Sequence, residues 1–296
     1  MNWKKSFPDF NKQDLSEAEL CGENLSNCNF DDAVFGSSAD DCEFNLDFTG
    51  SSLKRVNLAG RYLFNTNFLN SDLTEAKFRG TAFQGVEFSG ANLQRCELIE
   101  TDWCSKSIDG NQWSVTIADG ADFSFANLRN ASMAEVEIEN AILVNANLAY
   151  VDLSGANAAG SNFRGSDLHY GKLEGANLEK ANFEDTDLRG VNLRGANLRG
   201  ANLRNANLAN IANLWGADLE GANLEGAKLP SAILTNANLS GAVLRSADLE
   251  GADLEDANLT ETNFWSANLR GAKTEGAIFT DTILRDAVLP DGSKNA

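Results

Sequence analysis

Large hydrophobic residues recur at every fifth position along almost the whole chain. A first series runs from Phe10 to Phe35, a second from Phe48 to Leu208 and a third from Leu214 to Leu289. A period of five matches neither the 3.6-residue period of an α-helix nor the two-residue alternation of a half-buried strand. The pattern therefore predicts a repeat architecture built from short identical units.

Each unit has a small residue, usually Ala, two positions before the large hydrophobic residue, with Asn or Asp between them. The motif A-(N/D)-L-x-x is clearest from Gly195 to Leu208, which reads GANLRGANLRNANL. In this motif the chain resembles the pentapeptide-repeat family. The resemblance implies an all-β fold, a right-handed quadrilateral parallel β-helix of four repeats per coil, rod-like and with about 14 coils. It also implies that the large and the small residue point inward and that the others face outward.

The repeat predicts one continuous domain. We expect an N-terminal cap over residues 1–9, a single β-helix over residues 10–289 and a C-terminal tail over residues 290–296. The grid is interrupted or loses its usual composition near residues 36–47, 101–120 and 209–213. The last of these adds a single residue, which favours a bulge over a domain boundary.

The stretch 101–120 keeps the five-residue frame but places Trp103 and Trp113 at inward positions. Neither Trp nor the Lys at position 106 fits an ideal narrow coil. Two interpretations stay open here: a widened coil, or a segment that leaves the coil as a loop. Both tryptophans are candidate contact residues for a partner.

The charge balance limits the classes of partner. The chain carries 43 acidic against 24 basic residues, for a formal net charge of −19. This argues against direct binding of nucleic acid through a broad basic surface. No apolar run approaches the ~18 residues of a membrane-spanning helix, and the first ten residues lack the apolar segment of a signal peptide. We expect a soluble cytoplasmic protein, with peripheral association with a membrane complex as an alternative.

The residues that usually carry catalysis or bind cofactors are sparse. The single histidine, His169, follows an inward Leu and is expected to face outward without a base or nucleophile beside it. The five cysteines form no metal-ligand spacing and are expected to be reduced structural residues. No phosphate-binding glycine loop is present. The sequence predicts no enzyme, no cofactor and no metal site.

The outward positions supply the candidate protein-binding residues. Ten acidic residues lie between Gln13 and Leu53 without an intervening Lys or Arg, and they form either a docking face or a solubility cap. The candidates among them are Asp31, Asp32, Asp40, Asp41 and Glu43. Four arginines that follow successive inward leucines are expected to form a belt around one coil, namely Arg189, Arg194, Arg199 and Arg204. Trp215 and Trp265 are expected to be exposed on opposite faces.

The sequence favours a non-enzymatic protein–protein interaction scaffold or regulatory binding protein. One alternative, implied by the family resemblance, is an acidic DNA mimic that modulates a type II topoisomerase such as gyrase. The net charge of this chain, spread over the expected length of the β-helix, gives about half the linear charge density of duplex DNA. A further alternative, from resemblance to regular repeat proteins abundant in cyanobacteria, is an accessory factor of photosynthetic membrane complexes. Homodimerisation through a solenoid end is a further expectation, because an uncapped ladder favours pairing.

Overall fold

The computed structural model describes residues 9–15, 25–35, 46–103 and 115–295. The chain divides into two compact units, Met1–Asn147 and Leu148–Ala296, and each is described by itself. Of the predicted candidate residues, Asp40, Asp41, Glu43 and Trp113 lie outside the described residues. No helix long and apolar enough to cross a membrane occurs in the described ranges.

The described part of the first unit contains four short strands. These are β1 (Asp14–Leu15), β2 (Val34–Phe35), β3 (Tyr62–Phe64) and β4 (Ala82–Gln84). Strand β1 pairs in parallel with β2, and β3 pairs in parallel with β4, in each case between residues that lie four repeats apart. Elsewhere the coils are joined by isolated parallel bridges with the same offset, such as Asp47 with Asn67. Because the offset is a whole number of repeats, successive coils stack with equivalent positions in register.

Two coils of the first unit are longer than the others. Asn29 pairs with Ser52, where the usual offset would lead to position 49, and Glu87 pairs with Ile117, where it would lead to position 107. The ladder therefore resumes in register after an insertion in each of these two coils, and the second insertion is the larger. Both departures coincide with interruptions that the sequence showed, near 36–47 and 101–120.

The second unit is more regular. Its parallel bridges start at residues 152, 157, 162 and 167, each of which pairs with the residue four repeats later, and this defines four columns. One coil is longer by a residue, because Asn192 pairs with Asn213. The extra residue lies in a corner turn, where Asn210 and Ile211 both have positive φ, 62° and 60°.

The backbone N–H groups of one repeat, Asn192 to Ala196, show why the motif takes its form. The N–H of Asn192 donates to the preceding coil over 2.9 Å, while those of Leu193 and Gly195 donate to the next coil over 2.7 and 2.9 Å. The N–H of Ala196 closes a turn on the carbonyl of Leu193. The remaining N–H, of Arg194, donates to Oδ1 of the Asn192 side chain over 3.2 Å. Asn or Asp is therefore favoured because its oxygen accepts the one donor that the ladder leaves free.

At two positions where the Asn or Asp is missing, a proline occupies the position whose N–H would need that acceptor. Pro230 follows Lys228 and Leu229, and Pro290 follows Val288 and Leu289. Neither Lys nor Val offers the side-chain acceptor, and Pro has no backbone N–H that needs one. The two prolines therefore meet the same hydrogen-bonding requirement by removing the donor.

The interior of each unit consists of the predicted inward residues. In the second unit the series from Leu193 to Leu208 and its alanines are at most 1% exposed. In the first unit aromatic rings stack between coils, with Phe68 lying 5.2 Å from Phe48 and 5.1 Å from Phe88. Cys28 and Cys96 are buried and burial raises the pKa of both thiols, as expected for structural cysteines.

Trp103 corrects one expectation. It is 1% exposed and packs 4.8 Å from Phe83 and 5.9 Å from Phe123, where the chain enters the larger of the two insertions. Its indole N–H donates to Oγ1 of Thr101 over 2.8 Å, which satisfies the polar atom inside the core. Because the side chain is buried, Trp103 belongs to the core and is withdrawn as a candidate contact for a partner.

Candidate functional site

The two outward tryptophans lie where the repeat predicts them. Trp215 is 41% and Trp265 is 37% exposed. Trp215 follows Asn213, whose column continues through Ile233, whereas Trp265 follows Asn263, whose column contains Val243. The two columns lie on different sides of the coils, so the tryptophans form two separate patches, as the sequence predicted.

Each tryptophan is covered by an arginine from a neighbouring coil. The Arg194 guanidinium carbon lies 4.6 Å from the Trp215 ring centroid, and that of Arg245 lies 4.4 Å from the Trp265 centroid. Arg285 approaches Trp265 at 5.8 Å, while the Trp265 indole N–H donates to Asp286 over 3.2 Å. Cation–π contacts of this kind hold an exposed Trp in one orientation.

The predicted arginine belt is exposed, but its charge is largely balanced locally. Arg189 contacts the Asp187 carboxylate at 2.6 Å, and hydrogen bonding to this carboxylate raises the pKa of Arg189. Arg199 contacts two carboxylates, at 3.2 and 2.5 Å, and Arg204 contacts Glu184 at 3.5 Å. Arg194 stacks on Trp215 instead. The belt is therefore a ring of local contacts and not a continuous positive surface.

The sequence predicted an outward histidine without a base beside it, but His169 is half-buried and a carboxylate lies next to its ring. Its Nδ1 lies 2.5 Å from Oδ1 of Asp167, and its ring packs edge-on against Tyr150 and Tyr170. A carboxylate oxygen of Asp187, a carboxylate oxygen of Asp167 and a ring nitrogen of His169 all lie within 4.8 Å of one another. However, Arg189 binds the Asp187 carboxylate, and we therefore assign no metal site here.

Two described carboxylates of the acidic N-terminal segment, Asp31 and Asp32, contact the following coil. Asp32 forms two hydrogen bonds of 2.7 Å with Arg55, and these hold the pKa of Asp32 below its usual value. Asp31 accepts hydrogen bonds from the Ser52 hydroxyl at 2.5 Å and the Lys54 backbone N–H at 3.0 Å. These carboxylates link successive coils, in addition to facing solvent.

Sequence reasoning missed a charged column of the second unit, which we call the Arg column. It consists of the residues that follow the inward positions of one side, in chain order Arg164, Glu184, Arg204, Glu225, Arg245, Trp265 and Arg285. Glu184 lies 3.7 Å from Arg164 and 3.5 Å from Arg204, so opposite charges from three successive coils contact one another. Reading every fourth repeat would have revealed this alternation, because residues one coil apart share a side.

Family comparison agrees with the geometry. A model described as pentapeptide repeats matches eight segments, at residues 45–80, 71–102, 116–143, 141–179, 181–211, 212–245, 237–273 and 247–286. No curated protein sequence matches the chain significantly.

Solved structures of pentapeptide repeat proteins are similar to the chain. HetL, involved in heterocyst differentiation regulation in the cyanobacterium Nostoc, is 30% identical over 84% of this chain and 93% of its own, with a TM-score of 0.45. A thylakoid lumen protein of Arabidopsis thaliana is 36% identical over 33% of this chain and 68% of its own, with a TM-score of 0.33. QnrB1, a plasmid-mediated fluoroquinolone resistance protein, is 16% identical over 77% and 92%, with a TM-score of 0.38. With its repeats matched over most of its length, the chain belongs to the pentapeptide-repeat family, and its fold is a right-handed quadrilateral β-helix.

Proposed function

We propose that this protein is a non-enzymatic binding protein that docks a protein partner through the outward faces of its coils. The observation that carries the proposal is the pair of exposed tryptophans, Trp215 and Trp265, each held by an arginine of a neighbouring coil. Exposed Trp and Arg are the residue types most enriched among interface residues that dominate binding energy. A side chain already fixed in orientation loses little further entropy when a partner binds.

Affinity purification from the native cell tests this proposal, with the wild-type chain compared with Trp215→Ala and Trp265→Ala. Thr235→Ala and Thr260→Ala are matched controls, because both threonines also follow an inward Leu. Loss of a hot-spot residue costs at least about 2 kcal/mol, so at least one Trp variant should recover roughly 30-fold less of a specific partner. Equal recovery with the wild-type chain and both Trp variants would reject docking through these faces.

A second interaction is favoured at the last coil. Ile278, Phe279 and Ile283 are 51%, 39% and 48% exposed, although Phe279 occupies an inward position. Ile278 and Ile283 pair with the preceding coil and with no further coil in the described part of the chain. An apolar end with an unpaired ladder edge supports self-association of two chains through this coil.

The state of assembly tests that second proposal directly. Light scattering after size exclusion should give a dimer for the wild-type chain and a monomer for the double variant Ile278→Lys, Ile283→Lys. Ile233→Lys is the control, since Ile233 occupies the equivalent outward position inside the ladder. A wild-type chain that remains monomeric at high micromolar concentration would rule out self-association.

A further inference from the structure

The side of the second unit that carries the Arg column differs in charge from the other three. At its Asn/Asp position it has Asn162, Asn182, Asn202, Asn223, Val243, Asn263 and Ile283, and none of these is acidic. Each of the other three columns has at least one Asp at this position, for example Asp218, Asp167 and Asp152. The Arg column itself has four arginines against two glutamates. In a protein of net charge −19, this column therefore carries more basic than acidic side chains.

The arginines of this column differ in how far a described carboxylate neutralises them, and Arg245 is the least neutralised. Glu184 is shared by Arg164 and Arg204 through the two ion pairs already described. Arg245 has no carboxylate within ion-pair distance among the described residues. Arg285 is 75% exposed at its side chain, with its Nε 3.7 Å from Asp286. The end near Trp265 thus has the greater capacity to bind an anion.

Trp265 fixes the geometry of this end. The Arg245 guanidinium lies over the indole face at 4.4 Å, and Arg285 lies on the same ring at 5.8 Å. A guanidinium that stacks on a ring through its flat face keeps its in-plane N–H donors free for a carboxylate. The neighbouring Asp286 carboxylate is shared by Arg285 and Lys294. The patch thus combines two cationic groups with an aromatic ring.

We propose that Arg245, Trp265 and Arg285 bind an extended acidic segment of a protein partner. This inference rests on the proposed function and specifies the chemistry of the partner at one face. Arg245 and Arg285 are two coils apart, which is about 9.6 Å at the usual strand spacing. A polyproline-type extended segment advances about 9.3 Å in three residues. Carboxylates at every third position of such a segment would face both arginines, and the intervening side chains would lie over Trp265.

A protein segment fits this face better than a nucleic acid. Phosphates are dense along a nucleic acid, so the acidic sides of this protein would repel the rest of such a ligand. At physiological salt the Debye length is about 8 Å, and a short peptide on the Arg column is therefore shielded from those other sides. Arg also recognises a carboxylate through two parallel hydrogen bonds.

The test uses a short synthetic peptide with Glu at every third position and Pro between, together with the same peptide carrying Gln for Glu. Isothermal titration at about 0.15 M salt measures binding to the full chain. We expect the Glu peptide to bind and the Gln peptide to bind at least tenfold more weakly, since a carboxylate hydrogen bond to Arg contributes about 1.5–3 kcal/mol.

Variants locate the peptide. Arg245→Gln should weaken binding about tenfold or more, and Trp265→Ala should do the same. Arg270→Gln is the matched control, because Arg270 is exposed on another column and the exchange removes the same charge. Thermal unfolding of each variant confirms that the fold is retained.

Three results would overturn the inference: no binding of the Glu peptide at millimolar concentration, an equal effect of Arg245→Gln and Arg270→Gln, or equally tight binding of an oligothymidylate. The last result would assign the face to nucleic acid. Partner recovery with the tryptophan variants does not involve the peptide, so failure here leaves the proposed function to be judged by its own experiment.

Discussion

The side-chain amide of Asn197 donates a hydrogen bond of 3.0 Å to Oδ1 of Asn177, one coil earlier. The same oxygen accepts the backbone N–H of Glu179, and the Asn177 amide in turn donates to Asn157 over 2.9 Å. One side chain therefore satisfies its own turn and links three coils. Stacked amide ladders of this kind make the Asn position a source of stability along the second unit.

Replacement of Asn177 by Ala should lower the free energy of unfolding by about 2 kcal/mol, because three partly buried hydrogen bonds are lost. Asn177→Asp should cost less, since Asp keeps the acceptor for Glu179 and Asn197, as Asp218 does for Asn238 in the same column. Urea unfolding followed by circular dichroism measures both changes. Equal costs for Ala and Asp would show that the oxygen of residue 177 contributes nothing.

Proline should be tolerated only where no side-chain acceptor precedes it. Thr260 donates its backbone N–H to Oδ1 of Asn258 over 3.1 Å, whereas Thr280, in the same column, follows Ile278, which has no acceptor. Thr260→Pro should therefore lose about 1 kcal/mol. Thr280→Pro should be neutral or stabilise by up to about 1 kcal/mol, because it restricts the unfolded chain. Thermal unfolding of the two variants compares them directly, and equal melting temperatures would contradict this account of the repeat.

The fold was predictable because every repeat has the same pattern of inward and outward positions. Leu193 and Ala196 are inward in the sequence pattern and buried in the structure, and the same holds along most of the described grid, although Phe279 in the last coil is 39% exposed. The two longer coils of the first unit were visible only as interruptions of the pattern. The register after each insertion depends on which residues of the preceding coil the chain pairs with. The local sequence pattern does not specify that pairing.

The candidate surface was predictable only in part. Exposure of Trp215 followed from its place after an inward Leu, and it was confirmed. The partner of each charged residue was not predictable from its own repeat, because it lies in a neighbouring coil or depends on a rotamer. Arg194 thus stacks on Trp215, while Arg199 binds carboxylates of the next coil. Burial of Trp103 was not predicted, because it depends on a hydrogen bond from its indole N–H to the hydroxyl of Thr101, which occupies the small inward position of the same repeat.

Thr101 should be essential for the buried tryptophan. Thr101→Val keeps the side-chain shape but removes the oxygen that accepts the Trp103 indole N–H over 2.8 Å. An unsatisfied buried donor costs about 1–3 kcal/mol. The same Thr101→Val exchange should cost less in a Trp103→Phe background, where no donor remains. A double-mutant cycle from urea unfolding measures this coupling, and a coupling energy near zero would refute the role of Thr101.

The Asp187–Arg189 contact should make stability depend on pH in the acid range. Burial alone would raise the pKa of Asp187, but hydrogen bonds and the charge of Arg189 outweigh it, and the pKa is lowered from its ordinary value of 3.8. A carboxyl whose pKa is lower in the folded state stabilises the fold above its unfolded pKa, and this contribution is lost as the pH falls through the folded pKa. Arg189→Gln should therefore lower the melting temperature near pH 7. The difference from the wild-type chain should shrink as the pH is brought below 3.8.

Arg270→Gln removes the same charge without a described ion pair, so its effect on the melting temperature should not follow this titration. Melting curves at a series of pH values measure both differences in melting temperature. If the difference for Arg189→Gln stays constant down to the lowest pH, ionisation of Asp187 does not contribute to the stabilisation by this contact.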